Sequence, residues 1–480
     1  MKYGRFQRVV AWAIGVLLST SVPSLPAETP PALLPALDPL IQHVASHPDG
    51  TAANSIDFAA LKGDRSELPI GVFDSGIGGL TVLEAILKLD SFNNKTLQPG
   101  ADGVPDFAGE RFIYLGDQAN MPYGNYPSQG REDYLRELIV KDMVFLLGKR
   151  YHGAEGPRFD KPAVKAVVIA CNTATAYGLD DMRAALKTWQ LDVPVIGVVE
   201  AGARAVVEQL PADGPPPTVG ILATVGTCAS NAYPKAIARA AGLVGKPVPR
   251  VIQQGSIGLA GAIEGNPAYV WNGVGERPVA YAGPDSTVLN SVVEYARYDI
   301  NKMVQEPRVA ETVTGKKFDH KTPGLGMLVL GCTHFPLIEN ELNAALKLRS
   351  EAQLVDDIPP SEILVAERVA FINPAELTAK ELFRELTKAK LRTKAAAAHE
   401  SSAPLSSFYL SVPNSAAAGV KLAADGSLDT VYKIGRKTGE PEKEDTKVIP
   451  MTMKTLPESS RLLLEKLPAV SAQIKEARQE

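Results

Sequence analysis

The feature of this sequence that most constrains its fold is a series of short apolar runs in which polar and apolar residues do not alternate. Such runs, rich in β-branched residues, are typical of strands covered on both faces, as in a parallel sheet. The strand candidates lie at residues 69–73, 111–115, 166–170, 194–199, 218–222 and 327–330. Amphipathic stretches such as 80–87 follow several of them and indicate helices. The alternation predicts an α/β fold with mainly parallel sheets.

Composition is typical of a globular protein. The 480 residues are 45% hydrophobic and 22% charged, which suffices for a substantial core, and this length predicts two lobes. The 50 basic and 54 acidic residues nearly balance, and no cluster of lysines or arginines alternates with aromatic residues. We therefore expect no nucleic-acid partner.

The first 27 residues have the layout of a secretory signal peptide. Lys2, Arg5 and Arg8 precede an apolar run at 9–18, and small residues and prolines follow as far as Ala27. This order predicts an exported protein, located in the periplasm. The apolar run is short for a permanent membrane helix, so membrane contact is expected only if the signal stays uncleaved. A buried N-terminal helix is the alternative.

Three regions interrupt the alternation of strands and helices. Residues 28–66 are rich in Pro, Ala and Ser, and we interpret them as a linker or loosely packed arm. Residues from about 266 to 324 have one clear helix, at about 287–304, and are interpreted as containing an insertion. Residues 421–480, with Lys, Glu and Pro concentrated at 436–447, are predicted to form a solvated C-terminal extension.

The three cysteines, Cys171, Cys228 and Cys332, are too few and too widely spaced for a disulfide framework. No CxxC or His/Cys spacing indicates zinc, so no metal site is predicted. A free cysteine is most often a small buried apolar residue, and Cys228 keeps that interpretation.

Three of the strand candidates end in small polar residues. Ligands of open α/β sheets bind at the carboxyl ends of the strands, so these residues are expected to face one site. Their hydroxyl and amide groups, with the N–H groups at the starts of the following helices, suit a small carboxylate. The segments are Asp74-Ser75-Gly76, Cys171-Asn172-Thr173 and Cys332-Thr333-His334. A nucleotide loop at 74–79 is the alternative, but it matches neither the dinucleotide fingerprint nor a Walker motif.

Two thiols at one site suggest an inversion at carbon. Inverting a stereocentre at Cα requires removal of a proton from one face and delivery of another to the opposite face. Cys171 and Cys332, one in each lobe, could do so, because a thiol with an ordinary pKa of about 8.5 can serve as thiolate base or thiol acid. Asp74 and His334 are candidates for activating the thiolate, and a purely structural role for His334 is an equal alternative.

At these residues the sequence resembles the glutamate racemase branch of the aspartate/glutamate racemase family. The resemblance runs in a fixed order from about residue 68 to 415. The matching segments lie at 71–80, 114–117, 122–124, 170–174, 196–200, 223–227, 330–337, 354–357 and 408–409. They include Ala-Cys-Asn-Thr-Ala at 170–174 and Gly-Cys-Thr-His at 331–334.

The resemblance implies two similar α/β lobes with the active site in the cleft between them. The first lobe would comprise 67–193 and 353–420, and the second 194–352. It also implies an isomerase that needs neither pyridoxal phosphate nor metal, so no cofactor is expected. The family further implies a role in D-glutamate supply for peptidoglycan. The catalytic pair would be Cys171 and Cys332. Residues that bind substrate or assist the thiols would be Asp74, Ser75, Tyr123, Gly124, Asn172, Thr173, Thr333 and His334.

Departures from the family pattern leave the substrate open. Ala201 replaces the usual proline, Ser256-Ile257 replaces a Cys-Pro pair, and Asn125 follows Pro-Tyr-Gly in place of lysine. The alternatives to glutamate are aspartate or another amino acid as substrate of an exported racemase, and a two-lobed protein that binds an amino acid without turning it over. Two retained thiols argue against the binding protein. A homodimer is compatible with the sequence.

Overall fold

Two α/β units, each with its own mainly parallel sheet, make up the structure, a computed structural model that describes residues 33–266, 268–271, 273, 287–309, 323–353, 362–394, 406–456 and 458–476. This confirms the predicted fold class. The predicted signal peptide, the parts of the predicted insertion at 274–286 and 310–322, and the segment 354–357 lie outside the described residues. Within the described part of the chain, no helix is both long and apolar enough to cross a membrane.

The first sheet has six strands, and we call this sheet and the helices packed on it the first lobe. Its strands in spatial order are β13 (Thr446–Pro450), β12 (Ser407–Pro413), β2 (Phe112–Gly116), β1 (Ile70–Asp74), β5 (Ala166–Ile169) and β6 (Val195–Gly197). All neighbours are parallel except β12 and β13. Every residue of β1, β2 and β5 is buried, which explains why their sequences are continuous apolar runs.

The second sheet has five strands and defines the second lobe. Its strands in spatial order are β11 (Val365–Ile372), β10 (Leu325–Gly331), β7 (Thr218–Thr224), β8 (Val251–Ser256) and β9 (Arg308–Val309). The pairs are parallel except that of β8 and β9. A separate hairpin joins β3 (Tyr151–Gly153) and β4 (Gly156–Arg158).

Helices connect the strands of both lobes. In chain order they are α1 (Asp38–Ser46), α2 (Leu80–Lys88), α3 (Asn125–Ser128), α4 (Glu132–Leu147), α5 (Asn172–Thr188), α6 (Val198–Gln209), α7 (Val225–Ala229), α8 (Ala232–Leu243), α9 (Leu259–Ile263), α10 (Val292–Gln305), α11 (Glu339–Ala352), α12 (Pro374–Lys388), α13 (Thr430–Gly435), α14 (Glu458–Glu465) and α15 (Pro468–Glu476). Short 3₁₀ turns occur at Pro35–Leu37 and Phe335–Ile338.

The chain leaves the first sheet after β6 and returns to it at β12. The lobe division therefore differs from the expected one at two strands. β6 was expected in the second lobe but pairs in register with β5, and β11 was expected in the first lobe but pairs with β10. In both cases the strand lies beside the strand that precedes it in the chain, as is usual for a strand–helix–strand unit.

The two segments expected to be loosely packed or solvated contribute to the core of the first lobe. Leu40 and Val44 of α1 are inaccessible to solvent, and Trp189 Nε1 donates a hydrogen bond of 3.2 Å to the carbonyl of Ile41. In the C-terminal extension, β13 extends the first sheet, and Val470 of α15 is fully buried in the core beside α2. The sequence analysis missed these buried positions because prolines and charged residues dominate both segments. The apolar residues are few, but in the helices they are spaced to lie on one face.

Candidate active site

Cys171 occupies the start of α5, directly after the central part of the first sheet. Because β1 and β5 pair in parallel with Phe73 opposite Ile169, the residues that follow both strands emerge side by side. The Cys171 side chain is 6% exposed, its sulfur accepts a hydrogen bond of 3.4 Å from the Ala174 N–H, and its thiol donates to Ser75 Oγ at 3.7 Å. The predicted neighbours Ser75 and Cys171 therefore lie together.

The electrostatic surroundings of Cys171 favour the neutral thiol. Burial, and after it the negative charge of Asp74, raise the pKa of Cys171 well above its ordinary value. Asp74 lies at the end of β1 and accepts hydrogen bonds from the N–H groups of Gly76 and Gly79, at 3.2 and 3.0 Å. Burial raises the pKa of Asp74 as well, against the opposing charge of His334. The first lobe thus presents a thiol that holds its proton.

Cys332 follows β10 in the second lobe and has different partners. Its side chain is 7% exposed, and its sulfur lies 3.6 Å from Nδ1 of His334. The other ring nitrogen of His334, Nε2, lies 2.8 Å from Oε1 of Glu264, just after α9. Burial works against a charge on this ring, but Glu264 and the hydrogen bonds to Glu264 and Cys332 outweigh it and raise the pKa of His334 well above its ordinary value. These contacts therefore favour the protonated ring beside the sulfur.

These two half-sites face each other across a closed cleft. Thr81 Oγ1 in the first lobe donates a hydrogen bond of 3.0 Å to the carbonyl of Thr333 in the second. Gly78 lies so close that a Cβ atom placed on it would be 2.5 Å from Thr333 Oγ1, so the second lobe can approach only because residue 78 has no side chain. The segments predicted from the strand ends thus lie at one site.

A cluster of hydroxyl groups forms another part of the contact between the lobes. Thr173 Oγ1 lies 3.1 Å from Thr224 Oγ1 and 3.0 Å from Thr227 Oγ1. We call these three residues the threonine cluster. Beside it, the buried Tyr233 donates a hydrogen bond of 2.6 Å to Oδ1 of Asn172, so this oxygen already has a partner within the protein.

The segment that runs from the end of β2 into the start of α3, which we call the loop 117–126, carries Tyr123 and Gly124. Gly124 lies against the threonine cluster, since a Cβ atom on it would be 3.3 Å from Thr224 Oγ1. The Tyr123 hydroxyl, in contrast, lies 2.6 Å from Asp117 Oδ2 and 2.7 Å from Asp142 Oδ2. Burial, and after it the charge of Asp117, raise the pKa of Asp142 well above its ordinary value, so a protonated Asp142 supplies one of these hydrogen bonds and Tyr123 the other. The Tyr123 hydroxyl is thus hydrogen-bonded to two carboxyl groups of the first lobe.

Two residues of the site were missed by the sequence analysis. Glu264 lies 70 positions before His334, and Tyr233 lies 61 positions after Asn172, so no local motif joins either pair. All three cysteines lie within the described residues, and no disulfide joins them; Cys228, in α7, is partly buried. Among the described residues no group of three or more His, Cys, Asp or Glu side chains is arranged to hold a metal ion.

Comparison with known proteins identifies the family. A family model described as Asp/Glu/Hydantoin racemase matches residues 153–274. The glutamate racemase of Enterococcus faecalis is 32% identical over 269 residues, which are 56% of this chain and 68% of that protein. That of Lactiplantibacillus plantarum is 31% identical over 299 residues, 61% of this chain and 78% of that protein. The structure of glutamate racemase from Francisella tularensis in complex with D-glutamate covers 78% of this chain and 93% of its own, with 22% identity and a TM-score of 0.43.

These relatives are isomerases, which confirms the predicted class: the chain is an amino-acid racemase of the aspartate/glutamate type. Within that class, the chain belongs to the glutamate racemase family.

Proposed function

We propose that the protein interconverts L- and D-glutamate without a cofactor, by proton transfer between Cα and the two thiols. The observation that supports this most is the unequal environment of the thiols across one closed cleft. Cys332 lies beside a protonated histidine held by Glu264, whereas Cys171 is buried beside Asp74. The names of the relatives favour glutamate among the acidic amino acids.

In the turnover of one enantiomer, Cys332 would act as the base and Cys171 as the acid. The imidazolium of His334, 3.6 Å from the Cys332 sulfur, attracts the negative charge of a thiolate. That thiolate removes the Cα proton from one face of the amino acid, and Cys171 delivers its proton to the other face. The product leaves Cys332 protonated and Cys171 as thiolate, which is the state needed to turn over the opposite enantiomer.

Several of the other predicted residues would hold the substrate. Helix α5 is 17 residues long, and the N–H groups of its first turn form a favourable environment for a carboxylate. The hydroxyl groups of Ser75, beside Cys171, and of Thr333, beside His334, offer further hydrogen bonds, and that of Thr173 does so from the threonine cluster. Asp74 and His334 would act on the thiols through their charges.

Isotope exchange tests this proposal. Purified protein is incubated in deuterated water under reducing conditions with L-glutamate, L-aspartate and a panel of other amino acids, and Cα deuteration and optical inversion are followed. We expect inversion of glutamate, near-complete loss in Cys171→Ser and Cys332→Ser, and full activity in the matched control Cys228→Ser. Exchange with aspartate alone would overturn the assignment of glutamate, and exchange with no amino acid would overturn racemase activity here.

We further propose that the enzyme is exported to the periplasm and serves the D-glutamate supply for peptidoglycan. The basic and apolar N-terminal layout supports export, with cleavage near Ala27. Cell fractionation and N-terminal sequencing of the protein from its host should find a chain that begins near residue 28 in the periplasm. A cytoplasmic chain that begins at Met1 would exclude export. For the second part, the chain without residues 1–27 should let a D-glutamate auxotroph grow without added D-glutamate, and failure despite measured activity would exclude this role.

A further inference from the structure

The loop 117–126, which reaches the cleft, is held from behind by the C-terminal extension. Arg436, immediately after α13, is buried to 5% exposure and donates hydrogen bonds to Asn120 Oδ1 and, at 3.3 Å, to the hydroxyl of Tyr126. Its guanidinium group also lies 4.9 Å from the centre of the Tyr134 ring. A buried arginine that contacts one loop through several groups fixes the position of that loop.

A chain of hydrogen bonds leads from Arg436 to the residues behind the cleft. Because Arg436 occupies the Asn120 oxygen, the amide nitrogen of Asn120 faces Asp117, whose two carboxylate oxygens it reaches at 2.8 and 2.9 Å. Asp117 in turn accepts the Tyr123 hydroxyl at 2.6 Å, and its own N–H donates to the carbonyl of Asp74 at 2.8 Å. Arg436 is thus three hydrogen bonds away from Tyr123.

A second contact from the extension supports the same loop. The ammonium group of Lys433, in α13, donates to the carbonyl of Met121 at 2.7 Å. Arg131 holds the extension in place by donating to the backbone carbonyl of Arg436. The extension therefore contacts the loop at Asn120, Met121 and Tyr126.

Packing holds part of the loop, since Tyr123 and Tyr126 are buried in the core beside Tyr134, but it leaves a space behind Asp117 and Asn120. A cavity of about 110 Å³ lies between the loop, α4 and the extension, with Asp117, Asn120, Asp142, Ser411 and Arg436 among its lining residues. Around this cavity, directed hydrogen bonds to Asp117 and Asn120 add to the positioning that packing supplies.

The far side of the loop touches the second lobe. A Cβ atom on Gly226 would lie 3.0 Å from the Cα atom of Gly124, so the loop and the start of α7 are in close contact. A small displacement of the loop would therefore change how closely the lobes can approach around a substrate. Misplacement of about 1 Å is enough to alter catalysis strongly.

We propose that Arg436 is a positioning residue of the racemase: through Asn120 and Asp117 it sets the loop 117–126 in the position that lets the cleft close on the substrate. This inference rests on the proposed racemase function. The segments that resemble the family end near residue 415. Arg436 lies beyond them, so the C-terminal extension of this chain supplies it.

The test compares Arg436→Met and Arg436→Lys with the matched control Lys437→Met, whose side chain is the exposed neighbour on the same segment. KM and kcat for glutamate are measured together with the dissociation constant for D-glutamate by titration calorimetry and with the thermal unfolding midpoint. We expect KM and the dissociation constant to rise about tenfold in Arg436→Met, which corresponds to ~1.4 kcal/mol. We expect a smaller rise in Arg436→Lys and none in the control.

KM separates positioning from a merely structural role, because loss of folded protein lowers the apparent kcat and leaves KM unchanged. An unchanged KM in Arg436→Met, or an equal rise in Lys437→Met, would overturn the inference. If Arg436→Met does not fold, Arg436→Lys and Lys433→Met carry the test, and unchanged KM in both would overturn it equally. If the parent enzyme lacks turnover, the proposed function fails, and the dissociation constants alone decide the role of Arg436.

Discussion

At the scale of single residues, the charge on His334 depends on one carboxylate. Burial lowers the pKa of the ring and Glu264 raises it, with a net increase well above the ordinary value of 6.5. In Glu264→Gln the burial remains and the opposing charge is gone, so the pKa of His334 falls and the imidazolium is lost at a lower pH than in the parent enzyme.

We therefore expect kcat of Glu264→Gln to be reduced at least tenfold at pH 8 and partly recovered towards pH 6. Profiles of kcat against pH for this variant, the parent enzyme and the exposed control Glu351→Gln check the expectation. Superimposable profiles of Glu264→Gln and the parent would contradict it.

Another residue pair concerns stability rather than catalysis. Lys165 and Glu110 lie 2.6 Å apart, and their side chains are 0% and 2% exposed. Glu110→Gln leaves the ammonium group buried without its counter-charge, so we expect the free energy of unfolding to fall by ~3–5 kcal/mol. Urea denaturation measures the change. Lys347→Met removes the ammonium of an exposed pair and should cost less than ~1 kcal/mol, and equal losses in the two variants would contradict the argument.

The sequence was most informative about those site residues that directly follow a buried strand. Asp74 and Cys171 lie together because the ends of neighbouring parallel strands share one edge of the first sheet, a rule that needs no tertiary information. Cys332 follows a strand of the second sheet, so its position near them also depends on how the two lobes pack. Glu264 follows a short helix instead, and its contact with His334 depends on how α9 packs, which no local pattern in the sequence encodes.

At the scale of elements, helix α1 is an integral part of the first lobe. Leu40 is inaccessible to solvent, whereas Gln42, two positions later, is exposed. Leu40→Ala should lower the free energy of unfolding by ~2–5 kcal/mol because it leaves a cavity in the core. Urea denaturation of Leu40→Ala and the control Gln42→Ala measures this. A loss below ~1 kcal/mol in Leu40→Ala would show that α1 is dispensable for the core.

Strands were predictable in proportion to their burial. The runs at 69–73, 111–115 and 166–170 match β1, β2 and β5 within one residue because both faces of these strands are covered. Strand β11 was missed since it lies at a sheet edge, and its exposed Glu367 and Arg368 interrupt the apolar pattern. Strand β8 was missed for a related reason: its last four residues are Gln-Gln-Gly-Ser, which are not apolar.

At the scale of the whole molecule, the two lobes are closed on each other where Gly78 meets Thr333 and His334. An alanine at position 78 would place a methyl group 2.5 Å from Thr333 Oγ1 and hold the lobes apart. We expect kcat/KM of Gly78→Ala to fall about 100-fold while the protein remains folded. Steady-state kinetics with thermal unfolding checks this.

Gly242→Ala is the matched control for that variant, because its added Cβ meets no atom within 4 Å. A kcat/KM of Gly78→Ala within twofold of the parent would show that this close approach is unnecessary for turnover.

The threonine cluster has a consequence for how the molecule opens. When Thr173 separates from Thr224 and Thr227, their uncharged hydroxyl groups lose hydrogen bonds to one another and form hydrogen bonds to water. The two kinds of hydrogen bond have similar strength. No ion pair breaks and no charge is exposed when these three threonines of the threonine cluster separate. Separation of the lobes at this cluster should therefore cost little free energy, which suits an enzyme that must admit and release a substrate in every cycle.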